Sequence, residues 1–276
     1  MSTTFELILN QQRAWATRQG LKYDINGYTL SLDDNLFCSL SPQTREEFES
    51  GKGDELGERG NRGKIQALHS SSALVINVFE YWRHHKIEAV AQACGAPSGM
   101  TEMRFEERHP TPLGGVPPHL DVEFLGPNVR PLAIESKFTE LYRRKTKRQI
   151  KDKYLNYKGL WAQLPGCEKL IRRIYEEQEG KTSFSFLDAP QLLKHALGLT
   201  GKFGTNGFAL LYLWYDLPSP EAEKHRQEIK EFQRYVKDEV YFRQMTYQEL
   251  FSVMERSLDA DKNYLTYLGE RYFSSV

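Results

Sequence analysis

The sequence predicts an α/β protein in which one mixed sheet lies between two layers of helices. Segments whose apolar residues recur every three or four positions flank a group of short segments that alternate apolar and polar residues. A nearly continuous apolar run at 208–215 is typical of a strand buried on both faces. Together these patterns give the order α-β-β-β-α-β, which favours a three-layer α/β/α core.

Each predicted helix depends on apolar residues that return to one face. The predicted helices cover residues 5–18, 64–86, 140–180 with an interruption near Pro165, 189–199, 219–239 and 246–257. Pro190 suits the first turn of the fourth of these helices, because a first-turn residue needs no backbone N–H partner.

The predicted strands are short segments bounded by proline and glycine. They cover residues 101–107, 119–125, 131–138 and 208–215. Residues 20–60 are loop-rich, with glycines throughout a charged stretch. We therefore expect residues 1–63 to decorate a domain that covers residues 64–276 and ends in helices.

Composition excludes several classes of protein. The 276 residues carry 37 Lys and Arg against 37 Asp and Glu, which excludes a polycation and an acidic disordered chain. Three widely spaced cysteines give neither a disulfide framework nor a zinc knuckle. No apolar run approaches the roughly 20 residues of a membrane helix, and the N-terminus does not resemble a signal peptide. We expect a cytoplasmic protein without a membrane partner.

The second and third strands carry the residues that indicate chemistry. If their hairpin is centred on Asn128, positions that sum to 256 face each other, and Asp121 lies opposite Glu135. Lys137, two residues further on, joins the same face. The opposite face then receives only apolar side chains, those of Val122, Phe124, Leu132 and Ile134. We expect the charged face to be polar and accessible to solvent.

Two neighbouring carboxylates repel each other unless a cation compensates them, and hard oxygen ligands suit Mg²⁺. An adjacent lysine can orient a water or stabilise a developing phosphorane charge. The pattern favours metal-assisted phosphodiester hydrolysis. Three alternatives stay open: an ordinary ion pair on a solvated sheet face, a non-catalytic nucleic-acid-binding or scaffold protein, and a glycosidase. Lys137 suits the glycosidase poorly, because its charge would keep a general acid ionised.

Asp121 followed by Glu135-Ser136-Lys137 on the next strand, in this element order, resembles the PD-(D/E)XK nuclease superfamily with its restriction-endonuclease-like fold. The resemblance covers about residues 64–215 and is closest to uncharacterised bacterial members, although Leu120 precedes Asp121 where the motif has proline. It implies a Mg²⁺- or Mn²⁺-dependent nuclease acting on DNA. Asp121 and Glu135 would then be metal ligands, and Lys137 would activate water.

The same resemblance implies two supporting residues. Many members carry a glutamate on the helix before the sheet as a further metal ligand, and Glu80 holds that position. Some carry a Q-x-x-x-(Y/H) pattern after the third strand, which Gln191 and His195 match. Gln191 would then be a catalytic residue that orients water or the phosphate. An ordinary helix-surface carboxylate and a chance spacing are the alternatives.

A basic stretch at 142–158 holds eight Lys and Arg against one Asp, with tyrosines between them. Such a surface is typical of phosphate contact, and a solvated helix face is the alternative. The residues that we expect to bind nucleic acid are Arg143, Arg144, Lys145, Lys147 and Arg148. DNA is the expected partner, and a homodimer is left open.

Overall fold

The computed structural model describes residues 3–51, 54–57, 61–143, 150–177, 183–257 and 259–273. A mixed sheet of five strands forms its centre, in the spatial order β1-β2-β3-β4-β5. The strands are β1 Glu102–Arg108, β2 His119–Leu125, β3 Leu132–Lys137, β4 Ala209–Trp214 and β5 Tyr241–Thr246. β2 pairs antiparallel with β1 and β3, whereas β4 runs parallel to β3 and β5.

Helices cover both faces of the sheet. They are α1 Thr4–Arg18, α2 Pro42–Ser50, α3 Ser71–Arg83, α4 Ile87–Ala93, α5 Lys153–Asn156, α6 Pro165–Glu176, α7 Ala189–Phe203, α8 Pro220–Val236, α9 Tyr247–Ser257 and α10 Lys262–Leu268. On one face, Phe79 of α3 meets Phe124 of β2 with ring centroids 6.0 Å apart. On the other, His195 of α7 lies over Glu135 of β3. The predicted three-layer α/β/α class is confirmed.

Several element boundaries differ from the prediction, and capping residues explain two of them. α2 lies in the segment predicted as loop, because Ser41 caps it by accepting from the Thr44 amide and Pro42 suits its first turn. α3 begins at Ser71, capped by Ser70, rather than at residue 64. β5 was missed between two predicted helices, since only Phe242 and Thr246 of its six residues are buried.

The helix predicted over 140–180 is wrong in its first half. Within the described residues this region holds a 3₁₀ turn at Glu140–Tyr142, the short α5, and then α6. Pro165 stands in the first turn of α6, so it begins a helix rather than interrupting one.

The N-terminal segment packs onto the sheet. Ile8, Leu40 and Phe48 belong to the same hydrophobic cluster as the strands. Glu47 of α2 accepts from the Phe105 amide at 3.1 Å and so satisfies a donor on the edge strand β1. The boundary at residue 63 stays a prediction. No helix in the described ranges is both long and apolar enough to cross a membrane.

Candidate active site

The β2–β3 hairpin has the register that the sequence predicts. Val122 pairs with Ile134, Glu123 with Ala133 and Phe124 with Leu132, so that each pair sums to 256. One step further along the same register, Asp121 lies opposite Glu135. The Ser136 amide donates to Asp121 Oδ2 at 2.6 Å, which fixes the first carboxylate against β3.

A third carboxylate extends this pair onto β1. Phe105 pairs with Val122 and Glu107 with Leu120, so Glu106 stands opposite Asp121. Glu106 has φ 52°, a left-handed conformation that costs a non-glycine residue about 1–2 kcal/mol. Strained backbone of this kind is often found at functional sites. Glu106, Asp121 and Glu135 therefore form one row across three strands, the carboxylate row.

The row opens into a cavity of about 340 Å³. Asp121, Glu135, Lys137 and Gln191 all line it, so the structure brings the four residues predicted to be catalytic together. Glu106 and His119 line it as well, and His119 Nδ1 lies 3.2 Å from Glu106 Oε2. We call this cavity the carboxylate site.

Glu135 is held between two basic groups. The Lys137 ammonium contacts its Oε1, and His195 Nε2 lies 2.8 Å from its Oε2. Glu135 is only 1% exposed, because α7 covers this part of the sheet. The expectation that the charged face is accessible to solvent is therefore wrong for Glu135.

The three charged groups shift one another's pKa. Burial and the neighbouring Glu135 raise the pKa of Asp121 well above its usual range. Burial would also raise the pKa of Glu135, but Lys137 and His195 outweigh it and lower that pKa below its ordinary value. Burial lowers the pKa of Lys137, and the two carboxylates raise it by more, so the lysine keeps its proton. Near neutral pH the site thus holds an ion pair beside a carboxyl group that ionises reluctantly.

α7 supplies polar and basic groups along one face. Its Gln191, His195 and Lys202 follow one another at intervals of four and seven residues, close to whole helical turns. Lys202 Nζ lies 3.6 Å from Glu123 Oε2, and Glu123 Oε1 lies 3.1 Å from His109 Nε2. Glu123 and His109 are fully buried. One helix face therefore serves both the carboxylate site and a buried charge cluster deeper in the sheet.

The structure does not bring Glu80 to the carboxylate site. Its carboxylate is fully buried and accepts from the Ser41 amide at 2.9 Å and from Thr44 Oγ1 at 2.7 Å. Arg83 Nε lies 3.5 Å away. Glu80 therefore anchors α2 on α3, which corrects its predicted role as a metal ligand.

The basic stretch is described only in part. Arg144, Lys145, Lys147 and Arg148 lie outside the described residues. Arg143 is exposed, and its guanidinium stacks over the Phe5 ring at 3.8 Å. Phosphate contact by these five residues stays a prediction.

The sequence interpretation missed Glu106, and a signal for it was present. Charged residues alternate along β1, at Glu102, Arg104, Glu106 and Arg108, a pattern that indicates a charged face of the strand. The sequence does not indicate which of these charged residues lies opposite Asp121, because the ten-residue loop between β1 and β2 does not fix their register.

This fold and site define a restriction-endonuclease-like protein: an α/β/α core with Asp121, Glu135 and Lys137 at one cavity beside a mixed sheet. A family model described as "Restriction Endonuclease associating with ARP" matches residues 9–273, and the chain belongs to this family. Comparisons with curated proteins and with solved structures gave no match. Membership of the family gives the chain a nuclease-related role.

Proposed function

We propose that the protein is a Mg²⁺- or Mn²⁺-dependent nuclease that hydrolyses phosphodiester bonds of DNA in the cytoplasm. The observation that carries the proposal is the meeting of the carboxylate row, Lys137 and Gln191 at one cavity. Restriction or repair are the settings that suit such an enzyme. The family description names an association with ARP, and we extend that association to this chain.

The donor set suits a hard divalent cation. Asp121, Glu135 and Glu106 offer carboxylate oxygens, and their mutual repulsion calls for positive charge. In the described ranges, no three His, Cys, Asp or Glu side chains are arranged to hold a metal ion together. This arrangement still suits Mg²⁺, which usually binds through one or two carboxylates together with water and substrate phosphate. Asp121 and Glu135 would hold the ion, and Glu106 would add negative potential.

Each polar group of the site then has a distinct part. A bound Mg²⁺ would neutralise phosphate charge and lower the pKa of a bound water. Lys137 keeps its proton, so it would donate to the charge that develops on the phosphate rather than act as a base. Gln191 would orient the attacking water. His195 positions Glu135 from α7.

A nuclease assay tests the proposal. The wild-type protein should cleave plasmid or single-stranded DNA with Mg²⁺ or Mn²⁺ and not with EDTA. Lys137→Met should abolish cleavage but keep metal and DNA binding, whereas Asp121→Asn should also weaken metal binding. Lys230→Met is the matched control, because Lys230 is an exposed lysine in another Glu-x-Lys tripeptide, which lies on α8.

Two results would contradict the proposal. Undiminished cleavage in both site variants would place the chemistry elsewhere. A wild-type protein that binds DNA but cleaves neither substrate with either metal would favour the non-catalytic nucleic-acid-binding protein. One contact favours the non-catalytic protein: the Lys137 ammonium occupies a Glu135 oxygen that a metal ion would need.

A further inference from the structure

A second cavity, of about 530 Å³, adjoins the carboxylate site. Val116, His119 and Gln191 line both cavities, so the two spaces adjoin at these three residues. The volume of the second cavity lies within the range of roughly 300–1,000 Å³ that is usual for ligand pockets.

Three lysines give this second cavity its charge, and we call it the lysine trough. Lys151, Lys153 and Lys194 line it. Among the described side chains, none of the three forms an ion pair within 4.0 Å of a carboxylate, and Lys153 Nζ donates to the Leu113 and Gly114 carbonyls at 3.5 and 3.4 Å. Among the described residues of the lining, Asp188 is the one carboxylate, and its side chain caps α7 by accepting from the Gln191 amide at 3.1 Å. The described part of the lining therefore carries three lysines against one carboxylate.

The lysines repel one another. Burial lowers the pKa of Lys194, Asp188 raises it in part, and Lys151 and Lys153 lower it further. A bound anion would relieve this repulsion, as a cation would relieve the repulsion within the carboxylate row. The trough also lies at the first turns of the 15-residue α7, where the helix dipole favours negative charge.

An aromatic ring lies among these cations. Lys194 Nζ is 5.4 Å and Lys153 Nζ 5.8 Å from the centroid of the Tyr154 ring, which also lines the trough. Positive charge interleaved with an aromatic face is typical of surfaces that hold a nucleic-acid strand by its phosphates and stack its bases.

We propose that the lysine trough binds backbone phosphates of the DNA strand whose bond is cut at the carboxylate site. Because the two cavities share three lining residues, a strand cut at the carboxylate site would have the trough on one side of its scissile phosphate. That the bound strand is cut at the carboxylate site rests on the proposed function. That the trough binds phosphates does not. Lys151 and Lys153 belong to the basic stretch at 142–158 but not to the five residues named there as nucleic-acid contacts, and Lys194 lies outside the stretch.

The salt dependence of DNA binding tests the trough without any cleavage. Affinity of a fluorescein-labelled oligonucleotide, single-stranded or duplex, is measured by anisotropy in EDTA over a range of salt concentrations. The trough variant replaces all three lysines with alanine, and a second variant replaces them with arginine. The control variant removes three exposed lysines at α8 and its end: Lys224, Lys230 and Lys237.

Loss of three phosphate contacts should flatten the log–log salt slope by up to about 2 on single strands and about 2.7 on duplex. The arginine variant and the α8 control should keep the wild-type slope. A flatter salt slope in the alanine variant, on single-stranded or on duplex DNA, supports phosphate binding by the trough. The form of DNA whose slope changes is the form that the trough binds. A wild-type slope in the folded alanine variant, on both forms, would overturn it.

The two proposals fail separately. Cleavage by the wild type together with an unchanged salt slope in the alanine variant would remove the trough and leave the nuclease. A flattened slope in a protein that never cleaves would leave the trough and remove the nuclease.

Discussion

Replacing Lys137 with methionine removes the charge beside Glu135 and keeps most of the lysine stem, so lost packing contributes little. The side chains of Lys137 and Glu135 are 13% and 2% exposed, so the pair belongs to the buried class rather than the surface class. Removing one partner of a buried pair costs about 3–5 kcal/mol, because the other charge is left uncompensated. His195 still lies 2.8 Å from Glu135, so we expect a loss of about 3 kcal/mol in the free energy of unfolding.

Urea denaturation in EDTA, followed by circular dichroism, measures this loss. The double variant Lys137→Met/Glu135→Gln should recover most of it, since a neutral amide needs no cation. The size of the recovery gives the coupling between the two residues. A bound Mg²⁺ should also recover stability in Lys137→Met, by about 2.7 kcal/mol at one hundred times its dissociation constant.

The pH dependence of this loss follows from the lowered pKa of Glu135. A carboxyl group with a depressed folded pKa contributes stability that is present above its unfolded pKa of about 4.3 and is lost as the pH falls toward the folded value. The cost of Lys137→Met should therefore be greatest above about pH 5 and shrink in acid. A loss below about 1 kcal/mol at pH 8, with an unchanged m-value, would match a surface pair and refute the reasoning.

Three further outcomes follow from the same geometry. Asp121→Asn should stabilise the metal-free protein in urea melts, and by more at pH 8 than at pH 5. The reason is that a carboxyl group with a raised folded pKa opposes folding once the pH exceeds its unfolded pKa of about 3.9. The same difference in free energy of unfolding between variant and wild type at both pH values would contradict this reasoning. Glu106→Gln should weaken Ca²⁺ binding measured by calorimetry. Glu80→Gln should leave the Ca²⁺ affinity intact and lower the free energy of unfolding by about 1–3 kcal/mol. Weaker Ca²⁺ binding in Glu80→Gln and unchanged binding in Glu106→Gln would restore Glu80 as the ligand. Gly198→Ala should cost about 1–3 kcal/mol in the same melts, because the new Cβ would overlap the His109 carbonyl. An unchanged midpoint would show that α7 can move away from His109.

The sequence was sufficient for the β2–β3 hairpin, because two kinds of information agreed there. Its two-faced pattern excludes a slipped register, and Asn128 adopts φ 58° in the short turn, a conformation that asparagine tolerates well. Asp121, Glu135 and Lys137 therefore came together as expected, and Gln191 reached the same cavity.

Elsewhere the sequence lacked the deciding information. The partner of Glu106 depends on a long loop, whose length leaves the β1–β2 register open. Glu80 has a plausible place on α3, but the carboxylate's surroundings are set by Ser41 and Thr44, which come from a segment predicted to be loop. The burial of Glu135 depends on how closely α7 approaches the sheet, which helical periodicity alone does not specify.

The single face of α7 that reaches both Glu135 and Glu123 limits which changes of sequence this helix can tolerate. Because Gln191, His195 and Lys202 share one helix, inserting a single residue within α7 turns everything beyond it by about 100°. An insertion before His195 would separate His195 from Glu135 and Lys202 from Glu123 in one step. Insertions and deletions in the first half of α7 should therefore disturb the carboxylate site and the buried charge cluster together, so sequence change in this helix should proceed by point substitution at constant length.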